Sequence, residues 1–133
     1  MPYRTALING GTGVLRTGSG VVTGQEIIDE ARAILSLVTD PARITHGLVD
    51  FTAIDGFEAS ADEMAQVAQV NRKNSQTVKN VLVAIAAPKD IAFGMSRMYG
   101  SLIEGSGWEV QTFRTLEQAK AWLSSRLGPT PHR

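Results

Sequence analysis

The chain has 133 residues, of which 43% are hydrophobic and 20% charged, with 13 basic and 13 acidic side chains. This length and composition predict one soluble globular domain. A formal net charge of zero excludes the general positive field that nucleic-acid-binding proteins present, so no nucleic acid partner is expected. The absence of cysteine excludes disulfides, thiolate metal sites and thiol nucleophiles.

Residues 1–4 lead directly into an alternating segment and not into the apolar stretch of a secretory signal. No segment approaches the roughly 20 apolar residues of a membrane-spanning helix. We therefore expect a cytoplasmic protein that is not integral to a membrane.

The N-terminal residues predict a β-hairpin. Residues 3–9 alternate weakly between polar and apolar, the glycine-rich residues 9–13 follow, and a second apolar run begins at Val14. Asn-Gly and Gly-Gly tolerate the positive φ angles of tight turns, so the two strands are expected to pair antiparallel. The Gly-Ser-Gly of residues 18–20 predicts a bend in the second strand or its end.

Four helices are predicted after the hairpin. Three of them begin with the sequence of a capping box, in which two side chains satisfy free backbone amides at a helix start: Thr23–Glu26, Ser60–Glu63 and Thr115–Gln118. Asp90 is expected to cap the remaining helix. The apolar residues of that helix recur at helical spacing and are expected to face inward: Ile91, Met95, Met98, Tyr99 and Leu102.

The apolar run of residues 81–87 predicts the centre of the fold. It is too short for a membrane span, and it has no polar alternation. Only a strand covered on both faces accepts such a run, which indicates an α/β domain. Further strands are predicted within residues 44–54 and 108–113. The element order ββαβαβαβα implies a mixed sheet of four or five strands, with residues 1–127 as the domain and 128–133 as a flexible tail.

With this order, the chain resembles the SpoIIAA-like family of the STAS-like (STAS/Sec14-like) superfamily. The resemblance is carried by residues 47–52 (Gly-Leu-Val-Asp-Phe-Thr), 82–85 before Pro88, Phe93-Gly94 with Arg97-Met98-Tyr99, Gly107-Trp108-Glu109-Val110, Phe113 and Ala121-Trp122-Leu123. It implies a SpoIIAA/STAS-like mixed sheet with helices, and often dimers. Some relatives are grouped with Sec14-like lipid-binding domains, which implies a hydrophobic ligand as an alternative.

Ser60 departs from the pattern of the anti-sigma factor antagonists in this group. Those proteins carry an Asp-Ser-Ser-Gly phosphorylation site where this chain has Phe-Glu-Ala-Ser-Ala-Asp at residues 57–62. Ser60 is a candidate phosphoacceptor because a phosphate there would meet free helix amides. The alternative, which we favour, is that Ser60 is an N-cap residue with Glu63 as its partner.

No catalytic, cofactor or metal site is predicted. The early glycines lie between two strands, and therefore do not form the strand-to-helix turn of a dinucleotide site. Ser96 has half of a nucleophile-elbow sequence but falls within a helix. His46 begins a strand and His132 lies in the tail, so no local spacing assembles a metal site.

Two sets of residues are binding candidates. Met95, Met98 and Tyr99 suit an apolar ligand, although such a stripe is more often core. Lys89 and Arg97 belong to a set of cations that would attract an anion if they gathered at the strand ends, although a solvated surface is the commoner explanation.

Three functional hypotheses follow. The first is a non-catalytic binding or regulatory module of the bacterial cytoplasm that acts by protein–protein interaction, with a regulatory partner or with itself as a homodimer. The second is a carrier or sensor of a small apolar or acyl ligand. The third is a phospho-switch at Ser60.

Overall fold

The computed structural model describes residues 2–128, which form five strands and four helices. The strands are β1 (Tyr3–Ile8), β2 (Gly13–Thr23), β3 (His46–Glu58), β4 (Leu82–Ala86) and β5 (Glu109–Phe113). The helices are α1 (Gly24–Leu37), α2 (Ala61–Asn74), α3 (Asp90–Leu102) and α4 (Leu116–Leu127). The predicted element order is therefore confirmed. The predicted tail, residues 128–133, lies outside the described residues except for Gly128.

The five strands form one mixed sheet in the order β1-β2-β3-β4-β5. β1 and β2 pair antiparallel through the predicted turn, where Asn9 has a φ of 55° and Gly10 a φ of 68°. The remaining three pairs are parallel, each joined by a crossover helix. This is the α/β single domain that the sequence predicts.

The sheet is covered on both faces. α1, α2 and α3 pack side by side on one face over the larger hydrophobic cluster, and α4 packs across β3, β4 and β5 on the other. Along β4, Val83 and Ile85 face the three-helix layer, while Ala84 and Ala86 face α4. The prediction that this run is an interior strand buried on both faces is confirmed, whereas the central position of the five-stranded sheet belongs to β3.

β2 and β3 are longer than predicted. β1 pairs with residues 13–18 of β2, and β4 pairs with residues 46–50 of β3, but β2 and β3 continue to pair up to Thr23 and Glu58. Register shifts in this pairing absorb the glycines that would otherwise end the strand. Residues 19–23 and 53–58, called the β2–β3 extension below, form a two-stranded ribbon beyond the main sheet.

The predictions for α3 are wrong in two respects. Lys89 is the N-cap residue and makes no side-chain capping bond, whereas Asp90 is the first helical residue. The buried face is formed by Ala92, Ser96 and Tyr99, so Ile91 is 64% exposed. Ala92, Ser96 and Tyr99 recur at helical spacing, and Ser96 and Tyr99 line the space between α3 and the sheet.

The capping boxes of α1 and α2 are confirmed, and that of α4 is half formed. Thr23 and Ser60 each exchange the two hydrogen bonds of the box with a glutamate three residues later. Thr115 accepts from the backbone amide of Gln118, without the reciprocal bond. Within residues 2–128, none of the helices combines the length and apolar character that a bilayer crossing requires.

Candidate functional site

An internal cavity of about 90 Å³ lies between the sheet and the three-helix layer. β1–β4 supply its floor, α1, α2 and α3 supply its roof, and Trp108 closes one side. Most of the lining is aliphatic or aromatic, and the apolar residues include Val14, Ile34, Val38, Ile44, Val49, Phe51, Met64, Val67, Val83 and Ile85. A space of this size exceeds the roughly 10–15 Å³ that one water molecule needs, so the cavity has room for a small ligand.

Gly47 leaves room in the floor of the cavity. It lies in the middle of β3, between Val14 of β2 and Val83 of β4. A Cβ atom placed on Gly47 would come no closer than 3.6 Å to any neighbour, the nearest being the Val14 carbonyl oxygen. A side chain is therefore missing at a site where a strand normally has one, and the space above the backbone belongs to the cavity.

A hydrogen-bonded network enters the cavity from α2 and α3. Asn71 Nδ2 donates to the Tyr99 hydroxyl oxygen at 2.8 Å, and Asn74 Nδ2 donates to Asn71 Oδ1 at 3.1 Å and to the Ala31 carbonyl oxygen at 2.9 Å. Burial raises the pKa of Tyr99 to about 12, so this hydroxyl keeps its proton at neutral pH. Because Tyr99 accepts from Asn71, its own proton is available for a second hydrogen bond.

Ser96 places an unpaired hydroxyl in the same cavity. The residue is 1% exposed, and its Oγ atom is the one buried side-chain oxygen or nitrogen of residues 2–128 without a hydrogen-bond partner. Leaving such a group unpaired costs about 1–3 kcal/mol. An unsatisfied buried hydroxyl beside an empty space indicates that a molecule bound in the cavity supplies its hydrogen-bond partner.

Arg16 brings a positive charge to the cavity from β2. It is half-buried, and it shares the cavity-facing side of the strand with Val14. Burial raises the pKa of the Tyr3 hydroxyl, and the nearby Arg16 guanidinium offsets part of that rise. The ion pairs of residues 2–128 are Arg114–Asp90 and Arg126–Glu109, so Arg16 has no carboxylate at salt-bridge distance.

His46 is buried at the cavity's edge and is fully engaged. Asn9 Nδ2 lies 2.8 Å from Nε2, and Thr45 Oγ1 lies 2.9 Å from Nδ1. With the Asn9 amide donating to Nε2, the ring proton sits on Nδ1 and is donated to Thr45, which is the neutral form. Burial lowers the pKa of His46, in agreement with that form. Both nitrogens are used, so the ring acts as a structural element.

The predicted binding residues divide into three groups. Tyr99 lines the cavity. Met95 and Met98 are half-buried and pack against the core from the flank of α3, outside the cavity lining. Arg97 and Lys89 are exposed. The Arg97 guanidinium lies 5.9 Å from the Phe93 ring centre, and the Arg114 guanidinium lies 3.9 Å from the same ring centre.

Ser60 occupies the N-cap position of α2. Its Oγ accepts from the Glu63 amide at 3.1 Å, and its own amide donates to Glu63 Oε1 at 2.9 Å. The favoured N-cap interpretation is thus confirmed. The phosphoacceptor interpretation stays a prediction, and phosphopeptide mapping after incubation with cell lysate and ATP tests it. Residues 2–128 hold no cluster of three or more His, Asp or Glu side chains placed to bind a metal ion.

Arg16, Tyr3 and Asn71 were not singled out by the sequence analysis. The position of Arg16 could have been predicted, because it is two residues from Val14 and strand alternation places both side chains on the same face of the sheet. Asn71 carries a weaker signal, since it continues the inward series Met64, Val67 and Ala68 of α2. Nothing in the sequence shows that these side chains meet.

The structure is similar to two solved structures. One is an uncharacterised protein of the DUF3478 family with a SpoIIAA-like fold from Shewanella loihica PV-4, with a TM-score of 0.56, 16% identity and 91% of each chain covered. The other is the anti-sigma factor antagonist SpoIIAA in its unphosphorylated form, with a TM-score of 0.46, 9% identity, and 91% of this chain and 96% of that chain covered. No model of a known protein family and no curated protein was found to match the chain. The chain has a SpoIIAA-like fold, as the sequence predicts.

Proposed function

We propose that this SpoIIAA-like domain is a non-catalytic module that binds a small, largely apolar ligand in its internal cavity. The observation that carries the proposal is the cavity of about 90 Å³, bounded by apolar side chains and by the unpaired Ser96 hydroxyl. Ligand pockets typically combine such a lining with a few polar groups that orient the ligand. Of the two leading hypotheses from the sequence, the geometry supports the carrier or sensor better.

The missing side chain at Gly47 strengthens the proposal. Close packing of protein interiors normally removes a void of this size, and an empty cavity destabilises a fold in proportion to its volume. A ligand that fills the cavity would offset this loss of stability. Binding of a ligand to the folded state alone then stabilises the domain by mass action.

Native mass spectrometry of the protein purified from cells tests this proposal. We expect an adduct that is released on unfolding, and no adduct in Gly47→Leu, whose side chain fills the cavity. Gly94→Ala is the matched control because a Cβ at this exposed helical glycine meets no atom within 4 Å. An adduct that persists in Gly47→Leu would contradict the proposal. So would an adduct-free protein whose cavity amides do not respond to any small apolar probe in NMR titrations.

Self-association is a second candidate, favoured by the outer flank of α3. Ile91 is 64% and Leu102 40% exposed, with the half-buried Met95 and Met98 between them. The spacing of these four residues is symmetric about the middle of the helix. A second copy packed antiparallel would therefore place Ile91 opposite Leu102 and Met95 opposite Met98, as a two-fold interface requires.

Size-exclusion chromatography with light scattering tests the dimer. We expect the mass to approach twice 14.3 kDa at high concentration, and Ile91→Lys to return it to the monomer. Leu35→Lys is the matched control, since Leu35 is 41% exposed on α1 and away from this flank. A monomer at every concentration, or a dimer unaffected by Ile91→Lys, would exclude this interface.

A further inference from the structure

We propose that the ligand of the cavity is a small carboxylic acid, held by its carboxylate at Arg16 and by its apolar body against the aliphatic lining. This inference rests on the proposed function and specifies the chemistry of the ligand. It comes from the imbalance of hydrogen-bond donors and acceptors among the polar groups that face the cavity.

The polar groups of the cavity are mainly donors with unused capacity. Arg16 has five N–H donors and no acceptor, and the Tyr3 hydroxyl beside it takes at most one of them. Tyr99 accepts from Asn71, which leaves its own proton to donate, and Ser96 has a hydroxyl without any partner. The acceptor Asn71 Oδ1 is already used by Asn74. A ligand that satisfies this set must supply oxygen acceptors.

The positive charge of Arg16 favours an ionised acceptor over a neutral one. Arg16, Tyr3 and Tyr99 line the same cavity, and the Arg16 guanidinium offsets part of the rise that burial causes in the pKa of the two tyrosine hydroxyls. Glu30 also approaches Tyr3, and it accepts a hydrogen bond from Thr5. Charge-assisted bonds to a planar guanidinium suit carboxylates, which accept two parallel N–H bonds.

The volume limits the rest of the ligand. A dry apolar cavity of about 150 Å³ admits benzene, so about 90 Å³ leaves space for roughly four or five non-hydrogen atoms, the carboxylate oxygens included. Longer or branched acids exceed this size. Propionate is therefore a suitable probe, and propionamide is its neutral counterpart of the same shape.

Parallel NMR titrations of the full chain with propionate and propionamide at pH 7 test the inference. We expect shifts at the amides of Gly47, Ser96 and Tyr99, with propionate bound at least about tenfold more tightly than the amide, because bonds to charged groups are the stronger ones. In Arg16→Gln the preference should fall below about twofold, whereas Arg16→Lys, which keeps the charge without the planar fork, should retain part of it. Arg97→Gln, an exposed arginine outside the cavity, is the matched control and should keep the full preference.

The outcomes separate this inference from the proposed function. Equal affinity for the acid and the amide, with shifts at the cavity amides, would overturn the carboxylate assignment and leave the cavity as a ligand site. A preference for the acid that survives in Arg16→Gln would also overturn the assignment. If neither probe shifts the cavity amides, the carboxylate assignment fails, and the adduct found by native mass spectrometry decides whether the cavity binds a different ligand. The comparison in the wild-type protein decides the matter even if Arg16→Gln does not fold.

Discussion

Gly24, at the start of α1, is held against the Glu63 side chain of the neighbouring α2. A Cβ atom at Gly24 would lie 2.3 Å from Glu63 Oε1 and 2.8 Å from Glu63 Cβ. Because the Glu63 carboxylate is fixed by the capping box, it cannot move away freely. We expect Gly24→Ala to lower the free energy of unfolding by about 1–3 kcal/mol, as overpacking of a close contact does.

Gly94→Ala provides the matched comparison for Gly24→Ala. Both glycines are helical, but Gly94 is exposed and has nothing within 4 Å of an added Cβ. Alanine should raise the free energy of unfolding there by about 0.5–1 kcal/mol, because it restricts the unfolded chain and favours the helix. Urea denaturation measures both. Effects of the same sign at the two positions would contradict the packing argument.

His46 predicts a dependence of stability on pH. Burial places its folded-state pKa below the value near 6.5 of the unfolded chain. Between these two values the unfolded chain binds a proton that the folded chain does not, so the free energy of unfolding falls as the pH drops from about 6.5. Protonation of Nε2 would also remove the acceptor of the Asn9 amide.

Urea denaturation at pH 7.5 and 5.5 measures the effect of His46. We expect the wild-type protein to be less stable at the lower pH, and His46→Gln to lose most of that difference, since glutamine does not titrate. If the free energy of unfolding depends equally on pH in the wild-type protein and in His46→Gln, other titratable groups cause that dependence. Glu109 is one such group: its hydrogen bond from Arg126 lowers its pKa, so its contribution is lost only at more acidic pH.

The candidate functional residues differ in how far the sequence could predict them. Tyr99 and the N-cap Ser60 are identified from spacing alone, since both depend on neighbours within one helix. Arg16 and Ser96 are not, because their environment consists of side chains from other elements. Ser96 was considered only as half of a nucleophile motif, whereas its distinguishing property is that a fully buried hydroxyl lacks a partner.

Among the elements, α2 shows how a single residue fixes a helix start. Ser60 and Glu63 satisfy two of the amides that a helix leaves free at its N-terminus. Ser60→Ala should lower the free energy of unfolding by about 1 kcal/mol, whereas Ser60→Asp should retain most of it because aspartate caps as well as serine. Thermal unfolding of the two variants measures this, and equal losses would exclude the capping role.

β4 and α3 are the best and worst predicted elements, for a physical reason. A strand covered on both faces needs apolar side chains at every position, so residues 81–87 define it without reference to any neighbour. A helix that contacts both the sheet and α2 has apolar residues on more than one side. Periodicity then identifies the helix but not the direction in which the core lies, which is why Ile91 was predicted inward and is exposed.

At the scale of the whole molecule, the unequal support of the strands predicts unequal hydrogen exchange. β4 pairs on both sides and is covered by helices above and below. The β2–β3 extension pairs only within itself, except that the Ser19 amide donates to the Pro2 carbonyl oxygen at 2.7 Å. We expect the β4 amides to exchange last, near the global unfolding rate, and those of residues 53–58 to exchange earlier, as local openings of lower free energy allow. NMR-detected exchange measures both; equal protection would contradict the prediction.

The cavity is a property of the whole molecule and could not be predicted from the sequence. Its walls come from four strands and three helices, and no stretch of the chain contributes more than a few residues. The fold, by contrast, follows from local patterns that each element carries within itself. A void between elements depends on small differences in packing, such as the missing side chain at Gly47, which sequence patterns do not encode.

The order of the strands in the sheet is the same as their order along the chain. During synthesis on the ribosome, each new strand can therefore join the open edge left by the one before it, and none has to insert between two that are already paired. α4 follows β5 along the chain, and until α4 emerges, Leu48, Ala84 and Ala86 lack their cover. The nascent chain is thus most exposed to aggregation during the interval between the completion of β5 and the arrival of α4.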